Sequence, residues 1–96
     1  MTHLTETMKR LREDECECTT WRISEDALLD PPHVRRIFAG KRVPKLTTLW
    51  KLAAAFCRCS KRLRASETPT TVVFRMLLEA LARDVEEAIE RDALDA

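Results

Sequence analysis

One glycine in 96 residues is the chain's first notable scarcity. A loop that cradles phosphate needs several residues without a Cβ, so nucleotide chemistry of that kind is not expected. Histidine is almost as scarce. His3 and His33 have no serine, cysteine or paired carboxylate at catalytic spacing, so an enzyme is not expected. No apolar run approaches the roughly 18 residues that a bilayer span requires. The opening MTHLTETMKR lacks the apolar centre of a signal peptide. Four prolines and no alternation of β-branched residues leave helix as the dominant structure. A chain this short supports one modest core and one protruding element.

The net charge of +1 hides a strong division. Residues 1–29 carry four Lys/Arg against seven Asp/Glu, residues 30–64 ten against one, and residues 65–96 three against eight. The middle segment is therefore +9 between flanks of −3 and −5. Solvated helices often carry uneven charge, but nine net positive charges within 35 residues favour a face for a polyanion such as nucleic acid.

That basic segment contains the stretch around which the chain is organised, DPPHVRRIFAGKRVPKLTTLWKLAAAF, from Asp30 to Phe56. Asp30 is placed to cap a helix with its carboxylate, and Pro31 fits the first helical position. Val34, Ile37 and Phe38 share one face, and Gly40 suits the left-handed residue that ends such a helix. A basic turn follows. The next helix is expected over Lys45–Phe56, with Leu46, Leu49, Trp50, Leu52, Ala53 and Phe56 as its apolar residues. Upstream, Leu4, Met8 and Leu11 mark a helix over about Thr5–Glu15, capped by Thr2 or Thr5. Thr19 caps another that runs to Ala27. Between them, four carboxylates in Glu13–Cys18 oppose the helix dipole, so that segment is expected to be mobile.

The order of short helix, glycine, basic turn, proline and then TLWKLAAAF resembles the lambda-repressor-like (Cro/C1, XRE-type) helix-turn-helix family over roughly residues 4–64. The resemblance implies an all-α fold, namely a five-helix DNA-binding domain over residues 1–66 and a long C-terminal dimerisation helix within 67–96. With neither a bilayer span nor a signal peptide, the cytoplasm is the expected location, and the likeness implies a bacterial or phage origin. Two positions depart from the pattern. Phe38 stands where the family carries a glutamate paired to an arginine at the position of Arg12, which leaves Arg12 in need of another partner. Leu28 stands where the turn usually has glycine, so it must accept a strained backbone or a different turn.

Carried over residue by residue, the likeness puts Pro31, Pro32, His33 and Arg36 at base edges. Arg36 is the best reader, because a guanidinium matches guanine O6 and N7. Thr19, Thr20, Arg35, Lys41, Arg42, Lys45 and the backbone N–H of Leu46 fall at phosphate-clamping positions. The alternative for these cations is a solvated face.

Phe74, Leu77, Leu78, Leu81, Val85 and Ile89 form an apolar seam along the last helix, expected over Thr70–Ala96. The seam is longer than a small domain covers alone, so pairing with a second copy is expected; folding back onto its own domain is the alternative. The cysteines stand as Cys16-x-Cys18 and Cys57-x-Cys59. Zinc sites use wider spacing and disulfides are not expected in a cytosolic chain, so structural packing is the first reading and metal or redox sensing the second. No cofactor is expected. The function implied is a repressor-like transcription regulator that binds double-stranded DNA as a homodimer. The alternatives are an antitoxin whose last helix binds a protein partner, or a protein-interaction module that kept the fold without DNA binding.

Overall fold

A computed structural model describes residues 2–13 and 18–95. The described residues form six helices and no strand: α1 (Thr2–Glu13), α2 (Thr20–Ala27), α3 (Pro31–Phe38), α4 (Leu46–Cys59), α5 (Lys61–Ala65) and α6 (Thr70–Asp95). Of the Glu13–Cys18 segment expected to be mobile, residues 14–17 lie outside them, Glu13 ends α1 and Cys18 is fully buried.

Each helix contributes the apolar stripe that its periodicity marks. Leu4, Met8 and Leu11 of α1, Ile23 and Ala27 of α2, and Val34, Ile37 and Phe38 of α3 are buried together. Leu49, Leu52, Ala53, Ala55 and Phe56 of α4 complete the centre, where the Phe38 and Phe56 rings meet edge to face at 6.3 Å. Val73, Leu77, Ala80 and Leu81 of α6 belong to this same core. The separation of residues 67–96 from the rest is thus no division of the core, and the first half of α6 folds back onto its own domain. Leu77, expected in a dimer seam, has no exposed surface, and Leu81 is 9% exposed. A mean spacing near 3.5 residues cannot distinguish which side of such a helix its own body covers.

α4 packs against both α2 and α6, and α1 against α6. The α4–α6 pair runs antiparallel, because Cys57 bonds Thr70 while Trp50 lies edge to face on Phe74 at 5.4 Å. α4 continues through Cys57-Arg58-Cys59, beyond the end at Phe56 expected from the sequence. No loop separates it from α5: Ser60 ends α4 and caps α5 with its hydroxyl, which accepts from the Leu63 N–H at 3.2 Å.

Three helices end in one pattern of two backbone bonds around a left-handed residue. These are Leu28 (φ 56°), Gly40 (φ 72°) and Glu67 (φ 51°). After α2, Leu29 N–H reaches Ser24 O and Leu28 N–H reaches Glu25 O; after α3, Lys41 reaches Arg36 O and Gly40 reaches Ile37 O. With a single glycine, the chain accepts Cβ strain of about 1–2 kcal/mol at each of the other two positions. Leu28 therefore takes the strained alternative.

The start of α1 is held from the far end of the chain. The buried carboxylate of Asp84 accepts from the backbone N–H of His3 at 2.8 Å and of Leu4 at 3.0 Å, while His3 Nε2 pairs with Glu87 Oε1 at 2.6 Å. Asp84 thus does the capping that the sequence reading gave to Thr2 or Thr5. Removing the carboxylate leaves first-turn donors buried without an acceptor, so Asp84→Ala is expected to cost about 2 kcal/mol in urea unfolding. A loss below about 0.5 kcal/mol, the size of an ordinary surface change, would show that the cap is not needed.

Candidate nucleic-acid interface

α2, the turn Leu28–Asp30 and α3 form a compact corner, and the basic segment begins within it and runs on through α4. Small size makes the corner tight. Ser24 is buried, and its hydroxyl donates to the carbonyls of Thr20 and Trp21 at 2.8 Å, so no polar group is stranded where α2 meets α3.

Asp30 occupies the residue before α3 but makes no side-chain capping bond. That corrects the expected bond. Pro31 and Pro32 fill the first two positions of α3, and Pro32 removes one of the two N–H groups that a cap accepts from, leaving that of His33.

Pro31, Pro32, His33 and Arg36 are brought together around an open depression of about 610 Å³, with Leu28 and Arg42 on its rim. Arg36 and Pro32 are exposed, and Pro31 and His33 half-buried. Arg35, Lys41, Arg42, Lys45 and Leu46 are all exposed as well. Lys45 sits immediately before α4, with the first-turn N–H groups of that helix beside it and no side-chain cap on them. Uncapped N–H groups at a helix N-terminus are natural donors to an anion.

The two threonines differ in availability. Thr19 is exposed and caps α2, its oxygen accepting from the Arg22 N–H at 3.1 Å, which leaves its own hydroxyl proton to donate. Thr20 is half-buried and its oxygen accepts from Arg12 Nη1 at 3.2 Å, so it is less accessible than Thr19 although its hydroxyl proton is likewise left to donate. Arg12 also lies over the Phe38 ring, 4.8 Å from its centre. Phe38 is thus a partner of Arg12, its ring face holding the guanidinium. Arg12, expected to need another partner, has two, Thr20 and the Phe38 ring, and Thr20 has no sequence signal.

Not every cation of the basic segment faces this side. Arg58 donates to the carbonyl of Asp26 at 2.9 Å, at the C-terminal end of α2 where a cation is favoured.

The cysteines depart from expectation. Cys18 and Cys59 are joined in a disulfide, with Cα atoms 5.3 Å apart, where the entry to α2 meets the end of α4. Two of the four sulfurs are therefore bonded to each other, and the four-thiolate zinc reading over Cys16, Cys18, Cys57 and Cys59 is not met. Cys16 lies outside the described residues. Cys57 is a free thiol; burial pushes its pKa above the ordinary value, with a hydrogen bond to Thr70 opposing the shift. A thiol held protonated in this way is a poor nucleophile and a poor metal ligand at neutral pH.

Of the seam residues on α6, Phe74 and Leu78 are half-buried, while Val85 and Ile89 are 47% and 61% exposed. The sequence reading placed Leu46 and Trp50 on the apolar face of α4, yet they are 61% and 43% exposed. They lie at the edge of the stripe defined by Leu49, Leu52, Ala53 and Phe56. No family model, curated protein or solved structure matches the chain.

Proposed function

We propose that the chain is a sequence-specific DNA-binding regulator of the lambda-repressor-like class, acting as a homodimer on a pseudo-palindromic operator. The observation that carries this reading is the gathering of Arg36, His33 and Arg42 around one open depression, beside exposed Arg35, Lys41 and Lys45, in a chain whose flanks are acidic. α3 enters the major groove, with Arg36 reading a base pair and Pro31 and Pro32 giving shape or thymine-methyl contacts. The uncapped start of α4, Thr19 and the cations of the loop hold the backbone phosphates. The two half-sites then lie about one helical turn apart. Occupancy changes polymerase access, with repression the commoner outcome.

Arg36→Ala tests it by fluorescence anisotropy on a selected operator and its single-base variants. The expected loss is about 1–3 kcal/mol, with relaxed preference at one base pair. Uniform affinity across all variants before and after the substitution would remove Arg36 as a reader.

One observation favours a second reading. Leu28 is 85% exposed and rims the same depression as Pro31 and Pro32, so the depression has an apolar mouth that suits a protein segment. A protein-interaction module, or an antitoxin bound to its partner, would be indifferent to DNA in the same assay.

A further inference from the structure

The helix α6 has two apolar faces. At 100° per residue, Val73, Leu77, Ala80 and Asp84 form the face buried against the body. Leu78, Ala82, Val85 and Ile89 fall within an arc of about 60° on a different side of the helix. Ala82, Val85 and Ile89 are exposed, and from Val85 to Asp92 every residue is. The second face borders α4, where exposed Leu46 and Trp50 widen it, Trp50 through its contact with Phe74. An apolar stripe of this length on a helix whose other side is already packed calls for a cover.

Charge selects the cover. Residues 70–83 hold Arg75 and Arg83 against Glu79, a net +1, whereas residues 84–92 hold Glu86, Glu90 and Asp92 against Arg91, a net −2, besides Asp84 and Glu87, which are engaged with α1. Two α6 helices laid parallel would bring their acidic halves together; antiparallel, each acidic half meets the other's basic half. Register agrees. Arg75 and Glu86 are exposed on the same flank of the second face, eleven residues apart, with their midpoint within about 2 Å of Ala82 along the axis. In an antiparallel pair, residues on the same flank meet across the interface. Ala82, the small residue of the stripe, then falls at the crossing, where close approach needs it.

We propose that two copies of this chain pair through an antiparallel α6–α6 contact along Leu78, Ala82, Val85 and Ile89, with the twofold axis at Ala82 and Arg75 of each copy facing Glu86 of the other. The pairing rests on the homodimer of the preceding reading and is independent of DNA binding. Trp50 and Leu46 close one end of the stripe and meet the Ile89 end of the second copy.

Sedimentation equilibrium of the full chain over a concentration series tests it, with far-UV circular dichroism to check that each variant folds. Wild type is expected to be a dimer. Ala82→Glu sets two carboxylates on the axis and weakens self-association by at least about a hundredfold. Arg75→Glu and Glu86→Arg each weaken it about three- to tenfold, and the double variant restores it. A monomeric wild type overturns the homodimer and this interface together. A dimer unmoved by Ala82→Glu, or weaker in the double variant than in either single one, overturns the antiparallel interface alone.

Discussion

Reducing the Cys18–Cys59 disulfide is expected to lower the unfolding free energy by about 3–4 kcal/mol. The bond closes a loop of 41 residues in sequence, and that loop encloses α2, α3 and α4. Cross-linking its ends removes chain entropy from the unfolded state, more for a loop of this length than for a short hairpin. Both cysteines are almost fully buried, so their reduction leaves two thiols packed as small hydrophobes and little new surface in the folded state. The effect is therefore chiefly on the unfolded chain. For a domain of this size the melting temperature should fall by roughly 15–25 °C when a phosphine reductant is added. Cys18→Ala/Cys59→Ala should melt near the reduced wild type and be unmoved by reductant. A shift of only a degree or two in wild type would mean that the two sulfurs do not constrain the chain.

The enclosed elements are those that carry the proposed DNA face. The bond joins the entry to α2 with the end of α4, so it fixes two sides of the scaffold that present α3. In a reducing compartment the same scaffold would rest on its core and its remaining polar contacts. Arg58 to the Asp26 carbonyl is one such tie, at the opposite end of α2. Oxidised protein should thus hold α2 against α4 at both ends, and reduced protein at one.

How much of this was legible in the sequence varies from element to element. The corner of α2 and α3 was: Thr19 before α2, Pro31 at the start of α3 and Gly40 after it are local signals, each obeying backbone rules that need no tertiary context. Leu28 was legible as a conflict, a left-handed position without glycine, and the structure holds it there at φ 56°. The end of α4 was not. Cys57-Arg58-Cys59 carries no stop signal of its own, and Ser60 can end one helix and begin the next only because the chain turns there. The cap on α1 was illegible in principle, since Asp84 is 81 residues from His3 and its spacing gives no hint of the pairing. The two faces of α6 merge into one seam on paper, because Leu77 and Leu78 are neighbours in sequence yet point to different surroundings. Among the candidate DNA contacts, the exposed cations could be found from charge alone, whereas the engagement of Thr20 by Arg12 required the fold.

The affinity of the proposed dimer for its operator is expected to fall about 10⁴-fold between roughly 50 and 200 mM salt. Arg35, Lys41, Arg42 and Lys45 are exposed beside the reading helix, four cations per protomer and hence about eight per dimer, for a slope of log affinity on log salt near −7. Lys41→Ala/Arg42→Ala removes two from each protomer, so the slope should drop to about −3.6 and the loss over the same range to about 10². Sequence preference should stay unchanged, because phosphate contacts position the protein without reading bases. The contrast with Arg36→Ala is diagnostic: that substitution alters preference at one base pair, while the loop pair alters salt dependence uniformly. Isotherms at four or more salt concentrations, on operator and on scrambled DNA, separate the two. If the double substitution left the slope near its wild-type value, the loop would lie off the phosphates and α3 would have to enter the groove from another side. If affinity were salt-independent from the start, the +9 segment would be a solvated surface, and the depression at Leu28, Pro31 and Pro32 would take a protein segment instead.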